Sequence, residues 1–207
     1  MISLSSFASK SCGLEAWVKD HRKEYKGLAE LEGKDFALGD VVTTNIKCAH
    51  GETITLFHDT SLPRPYSRCN LLQGTKGIWS EDKASVYFEG ISKTPHTWEP
   101  LESYYKKYEH PLWTKFRKDG VKGGHEGMDF LVMRGFLEAV KNHTQTPIDV
   151  YDTASWMAIT VLSEESVAMG GHPVAIPDFT DGKWIKREPI VEGTYCLEKV
   201  CRPGKSL

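Results

Sequence analysis

The sequence has 207 residues, of which 40% are hydrophobic and 26% charged, and it carries a formal net charge of −2 at pH 7. This length and balance are typical of a globular protein with a core of its own. Because no run of lysine or arginine could follow a phosphate backbone, nucleic acid is excluded as an expected partner.

The cysteine pattern and the apolar runs exclude further classes. The five cysteines are an odd number and form no CxxC pair, so we expect free thiols, with neither a disulfide framework nor a bound metal. The longest apolar runs are too short to span a bilayer, which predicts no membrane partner. The first residues lack the basic start and apolar core of a signal peptide, so we expect a cytoplasmic protein as the chain stands.

Alternation of apolar and polar residues predicts strands in the first part of the chain. Residues 2–7 alternate in this way, and residues 41–48 and 53–58 alternate on either side of a short glycine turn, which predicts a hairpin. An amphipathic helix is predicted over residues 13–25, and a loop with a helical turn follows over residues 27–39. We expect the hairpin threonines to lie along one face of the sheet: Thr43, Thr44, Thr53 and Thr55.

Prolines 63 and 65 interrupt this pattern, because proline cannot donate to a strand ladder. Strands are then predicted over residues 66–73, 78–80 and 85–89, joined by short turns as in an antiparallel meander.

The second half of the chain is predicted to be helical. The pattern of residues 98–119 predicts two short helices divided at Pro111, and a long helix is predicted after His125. Five residues of this long helix form an apolar stripe that we expect to be buried: Met128, Leu131, Val132, Leu137 and Val140. A last helix is predicted over residues 151–169, with Asp149 and Asp152 as candidate caps. Strands followed by helices indicate an α+β fold with helices packed on one sheet face.

Three stretches carry candidate functional residues. In the first, His58, Arg64, Tyr66 and Arg68 surround the prolines, where the guanidinium groups could bind an anion or sugar hydroxyls and the phenol could transfer a proton. A solvated connection with one buried tyrosine would give the same pattern.

In the second stretch, Gly123-Gly124-His125-Glu126-Gly127-Met128-Asp129, His125 and Asp129 stand in a glycine-rich entry to a helix, where a backbone can approach a ligand closely. A glycine-rich loop that only caps a core helix is the more common meaning of such a short pattern. The third stretch, aromatic residues between Tyr104 and Trp113, is more typical of a packing cluster than of a stacking surface.

Six stretches occur together in an order that resembles a known family. They are Asp40-Val41-Val42-Thr43-Thr44-Asn45-Ile46, His58-Asp59-Thr60 with Pro63-Arg64-Pro65-Tyr66-Ser67-Arg68, Gln73-Gly74-Thr75-Lys76-Gly77, Gly123 to Asp129, Pro147-Ile148-Asp149-Val150-Tyr151-Asp152, and Pro173-Val174-Ala175-Ile176-Pro177-Asp178-Phe179. The chain closely resembles the C-terminal domain of family 109 glycoside hydrolases, within the Gfo/Idh/MocA oxidoreductase group.

The resemblance implies a large open, mostly antiparallel sheet. It also implies α-N-acetylgalactosaminidase activity in the full-length enzyme, in which NAD oxidises the sugar, the aglycone is eliminated, water adds and the hydride returns. Tyr66 corresponds to an active-site tyrosine of the family and is expected to be catalytic. Arg64, Arg68, His58, His125 and Asp129 are expected to contact an N-acetylgalactosaminide.

Two departures from the family shape the remaining expectations. No Rossmann domain with its nucleotide fingerprint is present, and Glu126 stands where the family usually has glycine. We therefore expect residues 1–207 to form a single substrate-binding and oligomerisation domain that binds no NAD and is inactive alone, while a full-length parent could be periplasmic or exported. The alternative is a non-catalytic sugar-binding or dimerisation module, and either could form a homo-oligomer through the sheet face.

Overall fold

The computed structural model describes residues 1–120, 123–188, 190 and 192–198, and the chain divides into two compact units. The first unit contains residues 1–63 and 148–188, and the second contains residues 64–147 and 189–207. Cys201, one of the five cysteines, lies outside the described residues, and the other four cysteines are free thiols.

A four-stranded antiparallel sheet forms the base of the first unit. Its strands are β1 (Ser3–Ala8), β2 (Val41–Lys47), β3 (Thr53–Asp59) and β8 (Val174–Ala175), in the order β3-β2-β1-β8. The predicted first strand and hairpin are confirmed. The register places Leu4 opposite Ile46 and Ser6 opposite Thr44, and all four side chains are buried on one face. This face is called the inner face below, and the opposite one the outer face.

The helix α5 (Val150–Ala168) packs on the inner face of this sheet. Leu4, Ile46, Val174 and Ile176 form the apolar core, and Leu162 of α5 packs against it. A chain of hydroxyl groups lies beside this core: Ser6 Oγ is 2.8 Å from Thr44 Oγ1, and Ser166 Oγ of α5 accepts from Ser6 N at 2.9 Å. Since buried polar groups need partners, these bonds fix how α5 lies on β1.

A carboxylate accepts hydrogen bonds at the N-terminus of each of two helices in the first unit, α1 (Gly13–His21) and α5. Asp40 accepts from the backbone N–H groups of Cys12 and Gly13 at 2.9 Å and so caps α1 from outside the helix. Asp149 is the N-cap of α5 and accepts from Asp152 N at 2.8 Å. Asp152 was a second candidate cap, but its carboxylate instead accepts from Arg187 Nη1 at 2.6 Å.

The second unit contains the other four-stranded antiparallel sheet. Its strands follow chain order: β4 (Leu71–Gly74), β5 (Gly77–Ser80), β6 (Ser85–Phe88) and β7 (Glu99–Pro100). The predicted meander is confirmed at β5 and β6. The α+β class with antiparallel sheets is likewise confirmed, with the strands shared between two four-stranded sheets.

Three helices complete the second unit: α2 (Glu102–Tyr108), α3 (Pro111–Asp119) and α4 (Met128–Asn142). The predicted division at Pro111 is confirmed, because proline begins α3 while the His110 ring accepts from Leu112 N at 3.0 Å. The rings of Phe88, Tyr104 and Tyr108 lie 5.1–6.1 Å apart, so this part of the aromatic stretch is a packing cluster.

Three predictions were wrong in detail. The strand expected over residues 66–73 is confined to Leu71–Gly74, because Cys69 has φ 51° and its N–H donates to Ser67 Oγ, a turn that a strand cannot contain. Thr44 faces the helix, whereas Thr43, Thr53 and Thr55 share the outer face, since neighbouring residues of a strand point to opposite sides.

The apolar stripe of α4 is the third. Among its five residues only Leu131 is buried, while Met128, Val132, Leu137 and Val140 are exposed. The buried line runs instead through Leu131, Gly135 and Ala139, because the missing side chain of Gly135 lets Tyr195 and Pro147 approach. Helical spacing identified the helix but could not tell which side of it is covered.

Candidate functional site

The loop between β3 and β4 holds Tyr66 and Arg68 side by side in the second unit. Arg68 Nε donates to Tyr66 Oη at 3.2 Å, and the Tyr66 side chain is 87% exposed. A phenol oxygen that accepts from a guanidinium keeps its own proton available for another partner. The pair therefore presents one O–H donor and a fixed positive charge to solvent.

Two further contacts shape this loop. Arg64 Nη2 donates to Ser67 O at 3.1 Å, and Ser67 Oγ donates to Asp82 Oδ1. The guanidinium of Arg64 thus closes a tight turn across three residues, and Asp82 ties that turn to the end of β5. Arg64 has a structural part in this loop in addition to the ligand-binding part expected from the sequence.

The charges around Arg68 come from two separate parts of the second unit. Hydrogen bonding to Tyr66 is the largest cause that raises the pKa of Arg68, followed by the charge interaction with Tyr66 and then that with Glu81. The carboxylate of Glu126 adds a weaker contribution in the same direction. Glu126 was not among the predicted site residues, although its charge and its place beside His125 were visible in the sequence.

The glycine-rich stretch forms a 3-10 turn, His125–Gly127, that leads directly into α4. His125, Glu126 and Gly127 all have positive φ, at 48°, 56° and 93°. A side chain at Gly127 would collide with the ring of Phe116, so glycine is required there for space as well as for φ. Two consecutive non-glycine residues in this conformation are a strained arrangement, which is more common at functional sites than elsewhere.

His125 and Asp129 form an exposed pair one helical turn apart. His125 Nδ1 lies 2.9 Å from Asp129 Oδ2. A carboxylate in this position favours the proton on Nδ1 and leaves Nε2 of the neutral ring as an acceptor that points to solvent. The pair can therefore hold or exchange a proton with a bound hydroxyl group.

His58 belongs to the first unit. It lies on the inner face of β3, opposite Val42, and lines a cleft of about 610 Å³ together with Leu56, Ser163 and Glu164. Of the six predicted site residues, the structure therefore brings together two pairs, Tyr66 with Arg68 and His125 with Asp129. Ser163 and Glu164 were missed, because their closeness to His58 depends on the packing of α5.

The described residues do not form a dinucleotide-binding fold. Every strand pairing among them is antiparallel, whereas the dinucleotide-binding fold places the pyrophosphate at a glycine-rich turn between a parallel strand and a helix. In the same part of the chain, no three His, Cys, Asp or Glu side chains lie where they could hold a metal ion. No described helix combines the length and the apolar character needed to cross a membrane.

The chain is similar in sequence to proteins that are named as glycoside hydrolases. An α-N-acetylgalactosaminidase of Tannerella forsythia is 46% identical, with 91% of this chain covering 39% of the relative. A glycosyl hydrolase family 109 protein of Parabacteroides distasonis is 45% identical over 91% of this chain and 40% of its own length. An α-N-acetylgalactosaminidase of Shewanella oneidensis is 36% identical over 90% of this chain and 41% of its own length.

The chain thus spans about two fifths of the length of the curated relatives that it matches. The sequence profile described as the C-terminal domain of glycosyl hydrolase 109 matches residues 1–186, which is most of the chain. The resemblance noted from the ordered sequence stretches is confirmed by this match. The chain belongs to the glycosyl hydrolase 109 family and corresponds to its C-terminal domain.

Proposed function

We propose that this chain is the substrate-facing domain of an NAD-dependent α-N-acetylgalactosaminidase and is inactive alone. Membership of the family, with relatives that carry the name of this activity, supports the proposal most strongly. The antiparallel sheets support the second part, because the nucleotide would have to be bound by residues outside this domain. What remains for this domain is to bind and orient the sugar and to move a proton.

Tyr66 is the residue to which we assign direct contact with the sugar and proton transfer. Its hydroxyl oxygen already accepts from Arg68, so its proton can be donated to a sugar oxygen. Arg68 fixes the phenol and adds a positive charge where an oxygen of the substrate would gain negative charge.

The other residues are assigned to substrate binding. Arg64 and Arg68 offer guanidinium donors to sugar hydroxyls, and His125 with Asp129 offers an acceptor and a carboxylate. His58 is assigned the same role from the first unit, where its cleft supplies both apolar and polar lining.

A binding experiment tests the assignment of Tyr66. We would titrate the chain with N-acetylgalactosamine and follow amide shifts by NMR, comparing the original protein with Tyr66→Phe and Tyr25→Phe. Tyr25 is an exposed tyrosine of the first unit and serves as the matched control. We expect Tyr66→Phe to weaken binding by about tenfold, the effect of one lost hydrogen bond in a polar site, and Tyr25→Phe to leave it unchanged. Equal affinity in all three proteins would remove Tyr66 from the site.

An activity experiment tests whether this domain is inactive alone and whether it can use NAD. The chain is incubated with the nitrophenyl α-glycoside of N-acetylgalactosamine, with and without added NAD. We expect no nitrophenol in either tube. Turnover that requires NAD would reveal a nucleotide site in this domain, and turnover without NAD, after a check for carried-over nucleotide, would exclude the redox route for this chain.

Self-association through the outer face of the first sheet is a second proposal. Phe7 and Phe57 lie on this face, 58% and 64% exposed, on either side of Thr43 in one row across three strands. Val41 also lies on this face, and the other neighbours of the two rings there are polar: Ser3, Ser5, Asn45, Lys47, Thr53 and Thr55. An apolar centre surrounded by polar residues is the usual composition of an interface, and a second copy of this chain is the partner that we propose.

A further inference from the structure

A trough crosses the second unit between α3, α4 and the segment around Tyr195. It consists of two adjoining hollows of about 420 and 320 Å³. Lys115, Arg134 and Tyr195 line both hollows, so the two form one continuous depression. None of the residues assigned to sugar binding belongs to this lining.

The two ends of the trough differ in chemistry. Phe130 and Leu112, both partly exposed, supply apolar surface to the larger hollow. The smaller hollow is lined mainly by polar groups, with Lys141 and Glu138 beside the shared Lys115 and Arg134. A ligand that fills the trough therefore needs an apolar part and a polar part joined together.

The polar end carries an excess of positive charge. Three cationic side chains, Lys115, Arg134 and Lys141, face one carboxylate, and none of the three forms an ion pair within the part of the chain that the structure describes. Glu138 directs its carboxylate to the backbone, accepting from Thr194 N at 2.7 Å and from Tyr195 N at 3.4 Å. Its charge is thus already shared with two N–H groups.

Arg134 is held in place before any ligand arrives. Its Nε donates to Tyr195 Oη at 3.5 Å, and its guanidinium carbon lies 5.9 Å from the centre of the Phe130 ring. With Nε occupied, the two terminal nitrogens remain available, and they have the spacing that suits two oxygens of one anionic group.

We propose that this trough binds an organic anion whose sulfate, phosphate or carboxylate group is held by Lys115, Arg134 and Lys141. The apolar part of the ligand lies on Phe130 and Leu112. A sulfated sugar and an aryl sulfate both have this chemistry, since each presents the same charged group on a body with an apolar face. This binding is separate from the proposed glycosidase site and does not depend on it.

Calorimetric titration of the chain with three probes tests the proposal: inorganic sulfate, N-acetylgalactosamine 6-sulfate and phenyl sulfate. We expect at least one organic sulfate to bind about tenfold more tightly than inorganic sulfate, because it also buries apolar surface. Binding should weaken several-fold when the salt concentration is raised from about 0.05 to about 0.5 M, as charge screening requires. The organic sulfate that binds more tightly identifies the body that the trough accepts.

Lysine variants locate the binding. Lys141→Gln and Lys115→Gln are each expected to weaken the bound organic sulfate about threefold to tenfold. Lys76→Gln, in the turn between β4 and β5, removes the same charge away from the trough and should have no such effect. Amide shifts of Thr194 and Tyr195 should follow the titration, because Glu138 holds both N–H groups beside the smaller hollow.

Three results would overturn the proposal. The first is the absence of binding by every probe to a protein that circular dichroism shows to be folded. The second is equal affinity for inorganic and organic sulfates, which would mean that the apolar residues of the larger hollow do not contribute to binding. The third is equal weakening by Lys76→Gln and by the two trough variants, which would mean general attraction to the protein surface.

Discussion

Glu126 adopts a backbone conformation that favours glycine, with φ 56° and ψ 27°. A side chain in this region costs about 1 kcal/mol through the approach of Cβ to the backbone. We expect Glu126→Gly to raise the free energy of unfolding by about 1 kcal/mol relative to Glu126→Ala, as measured by urea denaturation. The two variants lose the same charge, so their difference isolates the backbone.

The opposite order, with alanine more stable than glycine, is the usual result inside a right-handed helix. That order would show that the turn does not hold Glu126 in the left-handed region in solution. Neither outcome tests whether the charge of Glu126 affects binding. That question is answered by comparing the affinity of Glu126→Gln for N-acetylgalactosamine with the affinity of the original protein.

Several candidate site residues could be chosen from their chemistry, but their contacts could not be predicted. Tyr66, Arg68, His125 and Asp129 stood out in the sequence, and the spacing of the last two already suited a contact across one helical turn. The influence of Glu126 on Arg68 joins two loops that are 58 positions apart in the numbering, which no local pattern could indicate.

The contact between β1 and α5 depends on a hydroxyl group that links two elements. Ser166 Oγ accepts from Ser6 N at 2.9 Å and donates to the carbonyl of His172 at 2.7 Å, and Ser166 is fully buried. We expect Ser166→Ala to lower the free energy of unfolding by about 2 kcal/mol, because the buried N–H of Ser6 loses its partner without access to water and the His172 carbonyl loses a donor. Chemical denaturation followed by far-UV circular dichroism measures the change.

Ser163→Ala is the matched control on the same helix. Ser163 Oγ lies 3.2 Å from Thr44 Oγ1, which keeps Ser6 Oγ as a partner at 2.8 Å when Ser163 is removed. We expect a loss below about 1 kcal/mol for this variant. Equal losses for the two variants would mean that helix packing in general, and not the bonds of Ser166, holds α5 on β1.

The bonds between α4 and the segment around Tyr195 should depend on pH. A hydrogen bond from the Thr194 side chain is the largest cause that lowers the pKa of Glu138. The backbone N–H groups of Thr194 and Tyr195 lower this pKa further, while the partial burial of the carboxyl group raises it. A carboxyl group with a lowered pKa in the folded state stabilises the fold at pH values above its unfolded pKa, and this contribution is lost as pH falls through the folded value.

We therefore expect the urea midpoint of the original protein to exceed that of Glu138→Gln near neutral pH, and the difference to shrink as pH falls from about 5 to about 3. Glu30→Gln, in the 3-10 turn Leu28–Leu31 of the first unit, is the control with the same change of charge. A difference that stays constant over this range would show that the ionised carboxylate does not stabilise the fold.

At the scale of elements, periodicity identified the hairpin, the two short helices and both long helices. It failed where a single residue changed the backbone direction, as Cys69 does before β4. It also failed to tell which helix faces are covered, since Val132 and Val140 of α4 are exposed in spite of their regular spacing. Coverage is a property of the assembled fold, and a local pattern does not contain it.

For the whole molecule, the outer face of the first sheet is the surface to test for self-association. We expect the chain to sediment as a dimer and Phe57→Ser to shift it towards the monomer, because Phe57 supplies much of the apolar area of that face. Ile91→Ser is the control, since Ile91 is an exposed apolar residue of the second unit, 52% exposed. A monomer at all concentrations, or an equal effect of both variants, would contradict the proposed interface.

The first unit is built from two separate segments of the chain, residues 1–63 and 148–188, and should therefore fold late. Strand β1 needs Ser166, which follows Ser6 by 160 positions, whereas the hairpins and helices of the second unit join residues that are close in sequence. Closing long loops costs entropy before the distant contacts repay it, so local structure forms sooner. We expect hydrogen-exchange pulse labelling during refolding to find the Ser6 amide protected after those of β5 and β6, and a nascent chain to leave the three early strands uncovered until α5 has been synthesised.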